Sequence, residues 1–282
     1  MNLIETIIIA IVEGLTEFLP VSSTGHMIIA QNVLGIESTD FVKAFTVIIQ
    51  FGAILSVVCL YWKRFFRLNA TPAPEGAGPV QRLLHRYDFY WKLLVGFIPA
   101  AVLGLLLSDV IDSMLENVTV VAVMLVAGGI FMLWVDRLFN SPKADDNVSA
   151  RRALFIGLFQ CIAMIPGVSR SMATIVGGMA NRLTRKAAAE FSFFLAVPTM
   201  FAATAYKMLK LFMEPDGLNL VADNMTTLVV GNAVAFVVAL LAIKFFISFV
   251  TRYGFRLFGY YRIVVGGAIL ILMALGYNLE II

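Results

Sequence analysis

Six apolar blocks, each long enough to cross a membrane as a helix, constrain the fold more than any other feature. They lie at about residues 41–62, 91–109, 117–136, 187–212, 226–250 and 259–278. A hydrocarbon layer of ~30 Å requires about 20 helical residues. The blocks are continuous rather than alternating, which argues against a β-barrel. Charged residues make up 14% of the 282-residue chain, whereas soluble domains contain about 25%. The sequence therefore predicts an all-α integral membrane protein with about six transmembrane helices.

Residues 1–35 and 151–182 do not fit this pattern. Each holds two short apolar runs separated by a polar turn that contains proline. Non-helical backbone is tolerated at membrane depth only where protein or water covers it. Both segments are therefore predicted to be re-entrant helix–turn–helix pairs. Acidic residues, not basic ones, flank the first apolar run, so we do not expect it to be a cleaved signal peptide.

The two re-entrant segments resemble each other and indicate an internal duplication. LPVSSTG from Leu19 aligns with IPGVSRS from Ile165, with an offset of 146 residues between the two prolines. Later apolar segments of the two halves match in the same order. We therefore predict a single membrane domain, residues 1–282, built from repeat one at 1–140 and repeat two at 151–282.

Loop charges predict the orientation of these repeats. Basic residues concentrate in 63–92, 137–152, 182–186 and 251–258, whereas 109–116 and 213–225 are acidic; the acids of the former are Asp109, Asp112 and Glu116. The positive-inside rule assigns the basic loops to the cytoplasm. The first re-entrant pair then enters from the outer side and the second from the cytoplasmic side. The repeats are predicted to be inverted, with their turns meeting near the midplane, as in inverted-repeat transporters.

The first turn brings ionisable and hydroxyl groups into an apolar setting. Glu13 and Glu17 are four residues apart and share a helix face. We expect them to bind a Mg²⁺ or Ca²⁺ ion or to act together in acid–base catalysis. The alternative is that one glutamate is protonated and the other is paired with an arginine. His26 is a candidate general acid, base or nucleophile. The other hydroxyl candidates are Ser22, Ser23 and Thr24, of which one serine is expected to cap the following helix.

The second turn, PGVSRSMAT at residues 166–174, has the composition of an anion site. After Pro166 and Gly167 a helix restarts, and its N-terminal N–H groups favour anions. Arg170 adds a planar donor fork that suits phosphate. The hydroxyl donors of this turn are Ser169, Ser171 and Thr174. The alternative is a structural ion pair between Arg170 and a glutamate of the other repeat. Carboxylates that face a phosphate-binding turn at membrane depth favour hydrolysis of a lipid phosphate. The alternative function is a secondary transporter or lipid flippase. The net charge of the chain, +3, is too small to indicate a nucleic-acid partner.

Both motifs resemble those of one family, the bacitracin-resistance undecaprenyl-diphosphatases. EGLTEFLPVSSTGH at 13–26 is similar to the family's glutamate motif and serine–histidine block, and PGVSRSMAT matches PGxSRSxxT at every fixed position. The resemblance implies hydrolysis of undecaprenyl diphosphate to undecaprenyl phosphate and phosphate, which recycles the lipid carrier for peptidoglycan synthesis, maintains cell shape and confers bacitracin resistance. It also implies a bacterial inner-membrane location, a site open to the periplasm and a divalent cation.

The resemblance assigns expected roles residue by residue. Glu13 and Glu17 bind metal or assist acid–base steps, and His26 and Ser23 are rival nucleophiles, with His26 also a general acid or base. Arg170 holds the pyrophosphate, and the remaining expected substrate contacts are Ser22, Thr24, Gly167, Ser169, Ser171 and Thr174. Outside the motifs, structural roles are expected: an interhelical hydrogen bond for Gln50, a buried ion pair for Glu190 and snorkelling at the interface for Arg262. The glycine pairs 128–129 and 266–267 allow close helix approach, either within one chain or in a homodimer.

Overall fold

The computed structural model describes residues 1–115, 117–277 and 279, with the side chain of Asp112 excepted. Glu116 and the last residues of repeat two therefore lie outside the described residues. Over this part of the chain the secondary structure is helical, joined by turns and loops, with one isolated bridge between Asp145 and Leu183 and no strand. The prediction of an all-α protein is confirmed.

Six helices are long and apolar enough to cross a membrane, which confirms the predicted spans: α3 (Asp40–Leu60), α6 (Asp88–Leu106), α8 (Val118–Phe139), α11 (Arg185–Met213), α13 (Met225–Tyr253) and α14 (Arg256–Ala274). Four shorter helices form the two predicted helix–turn–helix segments: α1 (Leu3–Thr16), α2 (Ser23–Leu34), α9 (Ala150–Ile162) and α10 (Arg170–Ala180). The other described helices were not predicted: α4 (Trp62–Phe66), α5 (Pro79–Arg86), α7 (Ser108–Leu115) and α12 (Gly217–Asp223). The re-entrant insertion of the paired helices stays a prediction.

Local capping explains where several helices begin and end. Asn2 and Glu5 form a reciprocal capping box at the start of α1, which satisfies two backbone N–H groups that lack helical partners. Thr39 and Thr184 accept hydrogen bonds from the backbone at the starts of α3 and α11. α2 ends at Gly35, whose φ of 66° places it in the left-handed region that favours glycine at a helix C-terminus.

The helices of the two halves interlock. α1 packs against α13, α9 packs against α6, and α8 packs along α14. Glycines permit the closest approaches: a Cβ added to Gly14 would lie 2.8 Å from the carbonyl oxygen of Ala235, and one added to Gly129 would lie 2.8 Å from that of Gly259. Gly129 therefore serves packing within one chain, while a Cβ added to Gly267 would have no atom of the described residues within 4 Å. Homodimer formation stays a prediction.

Candidate active site

The turns after α1 and α9 converge, and each ends in a strained serine. Ser22 immediately precedes α2 with a φ of 69°, and Ser169 immediately precedes α10 with a φ of 79°. Non-glycine residues with positive φ are uncommon and persist where the surrounding structure enforces them. The two serines occupy the same place, directly before their helices, at an offset of 147, whereas the two prolines are 146 residues apart. Gly167, with φ 90°, occupies the additional position in the second turn.

Arg262 of α14 holds the two turns together, so the expectation that it snorkels at the interface is wrong. Its side chain is 0% exposed. Nη1 donates to the carbonyl oxygens of Pro20 at 3.1 Å and Val168 at 3.0 Å, one from each turn. Its remaining acceptors are the carbonyls of Gly167, Met124 and Leu125. Because buried carbonyls need donors, this guanidinium fixes the spacing of the two turns.

Glu17 belongs to the first motif and contacts side chains of both motifs. Its Oε2 accepts a hydrogen bond from the Ser23 hydroxyl at 2.7 Å, and its Oε1 accepts one from Arg170 Nη2 at 3.1 Å. Both partners of the Glu17–Arg170 ion pair are largely buried, with side-chain exposures of 9% and 13%. Arg170 Nη1 donates to the Ser192 carbonyl, and its guanidinium lies over the Phe18 ring. The alternative predicted from sequence, an ion pair between the repeats, is therefore present.

Two buried polar atoms of this cluster have no hydrogen-bond partner among the described residues. They are Arg170 Nε and Glu13 Oε1. Glu13 is 1% exposed, and its carboxyl faces that of Glu17. An unmade bond at a buried donor or acceptor costs about 1–3 kcal/mol. A ligand that supplies an acceptor for Arg170 Nε and a cation or donor for Glu13 would remove both costs.

His26 is hydrogen-bonded through both ring nitrogens. Nδ1 lies 2.8 Å from the Ser22 carbonyl oxygen and Nε2 lies 2.8 Å from the Tyr261 hydroxyl. Since a carbonyl can only accept, Nδ1 carries the proton, and Nε2 accepts from Tyr261 when the imidazole is neutral. The two rings are nearly parallel, at 9°. Tyr261 was not predicted as part of the site, and its position next to Arg262 is the only sequence signal for it.

The predicted hydroxyls of the second turn differ in what they contact. The Ser169 hydroxyl caps α10 by accepting a hydrogen bond from the backbone N–H of Met172. It also lies 3.0 Å from the Ser171 hydroxyl. Ser171 in turn donates to the carbonyl oxygen of Leu19 in the first turn. Thr174 is buried, bonded to the Arg170 carbonyl and to the hydroxyl of Ser192. Ser171 and Thr174 thus engage protein acceptors that position Leu19 and Arg170. Thr24 lies half-buried in the first turn of α2.

The donor set fits a hard divalent cation held jointly with substrate. Glu13 and Glu17 supply two carboxylates, one with an unpartnered oxygen. No group of three or more His, Cys, Asp or Glu side chains suited to a metal occurs among the described residues. Mg²⁺ is commonly bound through one or two carboxylates, with water and substrate phosphates completing its shell. These two glutamates meet that requirement without a third protein ligand.

Comparison with known proteins identifies the family. Residues 6–268 match the family described as Bacitracin resistance protein BacA. The chain belongs to the BacA family. A Porphyromonas gingivalis protein named undecaprenyl-diphosphatase is 58% identical over 282 residues, covering 100% of both chains. Proteins of the same name from Flavobacterium johnsoniae and Bdellovibrio bacteriovorus are 55% and 51% identical, again over 100% of both chains. The resemblance predicted from the two motifs is confirmed.

In this BacA-family chain, an apolar cavity of about 400 Å³ leads to Arg170. It lies between α6, α9 and α11, and its wall includes Phe97, Ala100 and Ala203. Gln160 and Thr199 form its other notable polar contact, a hydrogen bond of 3.2 Å. Nothing in the sequence motifs predicted this cavity, because its lining comes from three separated helices and consists mostly of small or apolar residues.

Proposed function

We propose that the chain is an undecaprenyl-diphosphatase, which hydrolyses undecaprenyl diphosphate to undecaprenyl phosphate and inorganic phosphate. The observation that carries the proposal is Glu17, whose carboxylate accepts from Ser23 and from Arg170. This arrangement brings together the proposed nucleophile Ser23, the proposed base Glu17 and the guanidinium of Arg170, which is proposed to bind phosphate. Relatives at up to 58% identity over the full chain bear the name of this activity. The reaction would recycle the carrier for cell-wall glycans and so confer bacitracin resistance.

Arg170 is proposed to bind the terminal phosphate. Its unpartnered Nε is a buried donor, and a guanidinium fork suits phosphate oxygens. The Ser192 carbonyl and the Phe18 ring hold the guanidinium in place. During phosphoryl transfer, the negative charge on the phosphoryl oxygens would be stabilised by the fixed positive charge of Arg170 in a largely buried site, which lowers the energy of the transition state.

Ser23 is the nucleophile that the contacts support best. Its hydroxyl already donates to Glu17, so Glu17 can take its proton as the oxygen attacks the terminal phosphorus. The new Ser23 O–P bond replaces the bond to the bridging oxygen, and undecaprenyl phosphate leaves. Water then attacks the phosphoserine and gives its proton to a base, while the bond from phosphorus to the Ser23 oxygen breaks and that oxygen takes back the proton held by Glu17, which releases phosphate. His26 has both nitrogens engaged, which suits a general acid or base better than a nucleophile.

Glu13 and Glu17 are the residues that would hold Mg²⁺ or Ca²⁺. A bound divalent cation supplies charge neutralisation for the diphosphate and orients its oxygens. The orphaned Oε1 of Glu13 is the atom best placed to serve as a ligand, while both oxygens of Glu17 already have partners. Glu13 therefore acts chiefly in metal binding and Glu17 chiefly in proton transfer.

The setting of the site supports a lipid substrate in the bacterial inner membrane. The chain has six helices long and apolar enough to cross a membrane among its described residues, and the apolar cavity at Arg170 offers a path for a polyprenyl chain. The first helix of each repeat packs on a span of the other repeat, α1 on α13 and α9 on α6. Two inverted repeats related by a pseudo-two-fold axis would produce this reciprocal packing. With the basic loops in the cytoplasm, the first turn opens to the periplasm.

Phosphate release from a polyprenyl diphosphate tests the proposal. Purified protein in detergent should release phosphate from undecaprenyl or farnesyl diphosphate when Mg²⁺ or Ca²⁺ is present, and chelation should abolish release. Absence of metal-dependent release would overturn the enzyme assignment. A flippase or secondary transporter, the alternative function, would instead move the lipid across liposomes without hydrolysis. The Ser23–Glu17 hydrogen bond favours hydrolysis, since transport has no need of an activated hydroxyl.

A further inference from the structure

A second candidate phosphate-binding site lies at the membrane surface, whereas the cluster around Glu17 and Arg170 is buried. A cavity of about 720 Å³ lies where α3 ends and α6 begins, within the size range of ligand pockets. We call it the basic cavity. Its wall contains Lys63, Arg64, Arg67 and Arg86, with Asp88 as the acidic residue. Asp88 pairs with Lys92 at 2.5 Å. None of the four cations of the wall lies within ion-pair distance of a described carboxylate, and Arg64 interacts with Glu190 only through its longer-range charge.

The wall of the basic cavity is held together by specific contacts. Asn69 donates its backbone N–H to the Arg86 carbonyl at 3.1 Å and its side-chain amide to the His85 carbonyl at 3.1 Å. The Tyr90 hydroxyl donates to the Phe65 carbonyl, and Arg64 lies over the Phe89 ring. These contacts connect the 67–70 segment to the end of α5, and α4 to the start of α6. The cations are therefore gathered around one space rather than scattered along a loop.

The position of the basic cavity selects a lipid as its ligand. Lys63, Arg64 and Arg67 follow the α3 span by three to seven residues, and Arg86 precedes the α6 span by two. Trp62 and Phe66 are 54% and 70% exposed, as is typical of aromatic residues at the membrane–water interface. The adjacent helix α5 exposes Val80 and Leu83 besides its basic residues, the pattern of a helix lying in the interface.

We propose that the basic cavity binds the phosphate headgroup of one anionic glycerophospholipid. Unpaired arginines at the end of a span attract such headgroups, at about 1 kcal/mol for each basic residue. The apolar side chains of Trp62, Phe66 and α5 would lie beside the acyl chains. The site is separate from Glu17 and Arg170, and the proposal does not depend on the phosphatase activity.

Paired triple variants test this site. The cavity variant is Arg64→Gln/Arg67→Gln/Arg86→Gln; the control, Arg137→Gln/Lys143→Gln/Arg151→Gln, removes the same charge from exposed residues outside the cavity. Native mass spectrometry counts phosphatidylglycerol retained from mixed micelles, and thermal melting measures stabilisation by phosphatidylglycerol against phosphatidylcholine. We expect the control to match the unmodified chain. The cavity variant should retain one lipid fewer, bind phosphatidylglycerol about 10²-fold more weakly and lose most of the thermal shift.

Three outcomes would overturn the proposal. The first is that neither triple variant loses bound lipid, and the second is that both lose it equally. The third is that inorganic phosphate stabilises the unmodified chain as much as phosphatidylglycerol does, which would indicate a site for free anions. Size-exclusion elution and the thermal unfolding midpoint without added phosphatidylglycerol report whether the cavity variant is folded. If it is unfolded, the single variants Arg64→Gln and Arg86→Gln take its place, each with a roughly fivefold weaker affinity expected.

Discussion

Glu17 and Arg170, 153 positions apart in sequence, form an ion pair at 3.1 Å between the two turns. The pair connects the acid–base half of the site to its phosphate-binding half. Because the carboxylate and the guanidinium neutralise each other in the absence of substrate, the charges are tolerated in a largely buried place. A bound diphosphate would compete with Glu17 for the guanidinium and leave its carboxylate free to take the Ser23 proton.

Arg170→Ala should therefore lower kcat/KM for farnesyl diphosphate by at least ~10²-fold. Arg170→Lys keeps the charge but loses the planar fork and should recover only part of the activity. Phosphate release over a range of substrate concentrations measures kcat and KM separately. Arg151→Ala, an exposed arginine outside the site, is the control. Near-normal activity in folded Arg170→Ala would contradict the phosphate-binding role.

Covalent trapping should distinguish Ser23 from His26. Rapid acid quenching of the reaction with diphosphate labelled at its terminal phosphorus is expected to yield acid-stable phosphoserine at Ser23, since its hydroxyl donates to Glu17. Ser23→Ala should lower turnover by at least ~10²-fold and give no label. His26→Ala should slow turnover yet retain the label. In a parallel alkaline quench, which preserves acid-labile phosphohistidine, label at His26 would reassign the nucleophile; no label under either quench would favour direct attack by water.

The spans and the two turns could be predicted from the sequence because their signals are local. Apolar runs identified the six spans to within a few residues, and prolines with clustered serines identified both breaks. The pairing of Arg170 with a glutamate was foreseen as an alternative because an unpaired charge is costly in a membrane. Which glutamate it pairs with depends on how α1 and α10 approach each other, which a single sequence does not reveal.

Arg262 and the register of the turns could not be predicted for the same kind of reason. Arg262 follows two tyrosines near the start of a span, the composition of an interfacial anchor, and its five carbonyl acceptors come from three distant segments. The general expectation that ionisable residues within spans are functional was the only available signal. The additional residue at Gly167 became visible only through the matching φ angles of Ser22 and Ser169.

Arg262→Met should damage both stability and turnover. It would leave five backbone carbonyls without their donor, a loss of at least ~3 kcal/mol. The turns would also lose their common support, so kcat should fall at least ~10-fold while KM changes less. Arg262→Lys, which retains donors, should recover part of kcat. Arg256→Met, at an exposed position of the same helix, is the control. A thermal shift with kcat unchanged would reduce Arg262 to a purely structural residue.

Gly14→Val should separate α1 from α13 and thereby disturb Glu13 and Glu17. A Cβ at this position would lie 2.8 Å from the Ala235 carbonyl oxygen and 2.9 Å from the Val238 Cβ, and these backbone and β-branched atoms cannot rotate away. Overpacking of this kind costs about 1–3 kcal/mol, measured as a lower midpoint of thermal unfolding in detergent. Gly267→Ala, where an added Cβ has no neighbour within 4 Å in the described part of the chain, should leave the midpoint unchanged or raise it slightly through helix propensity. Equal midpoints for the two variants would show that α1 does not pack against α13 as closely as described.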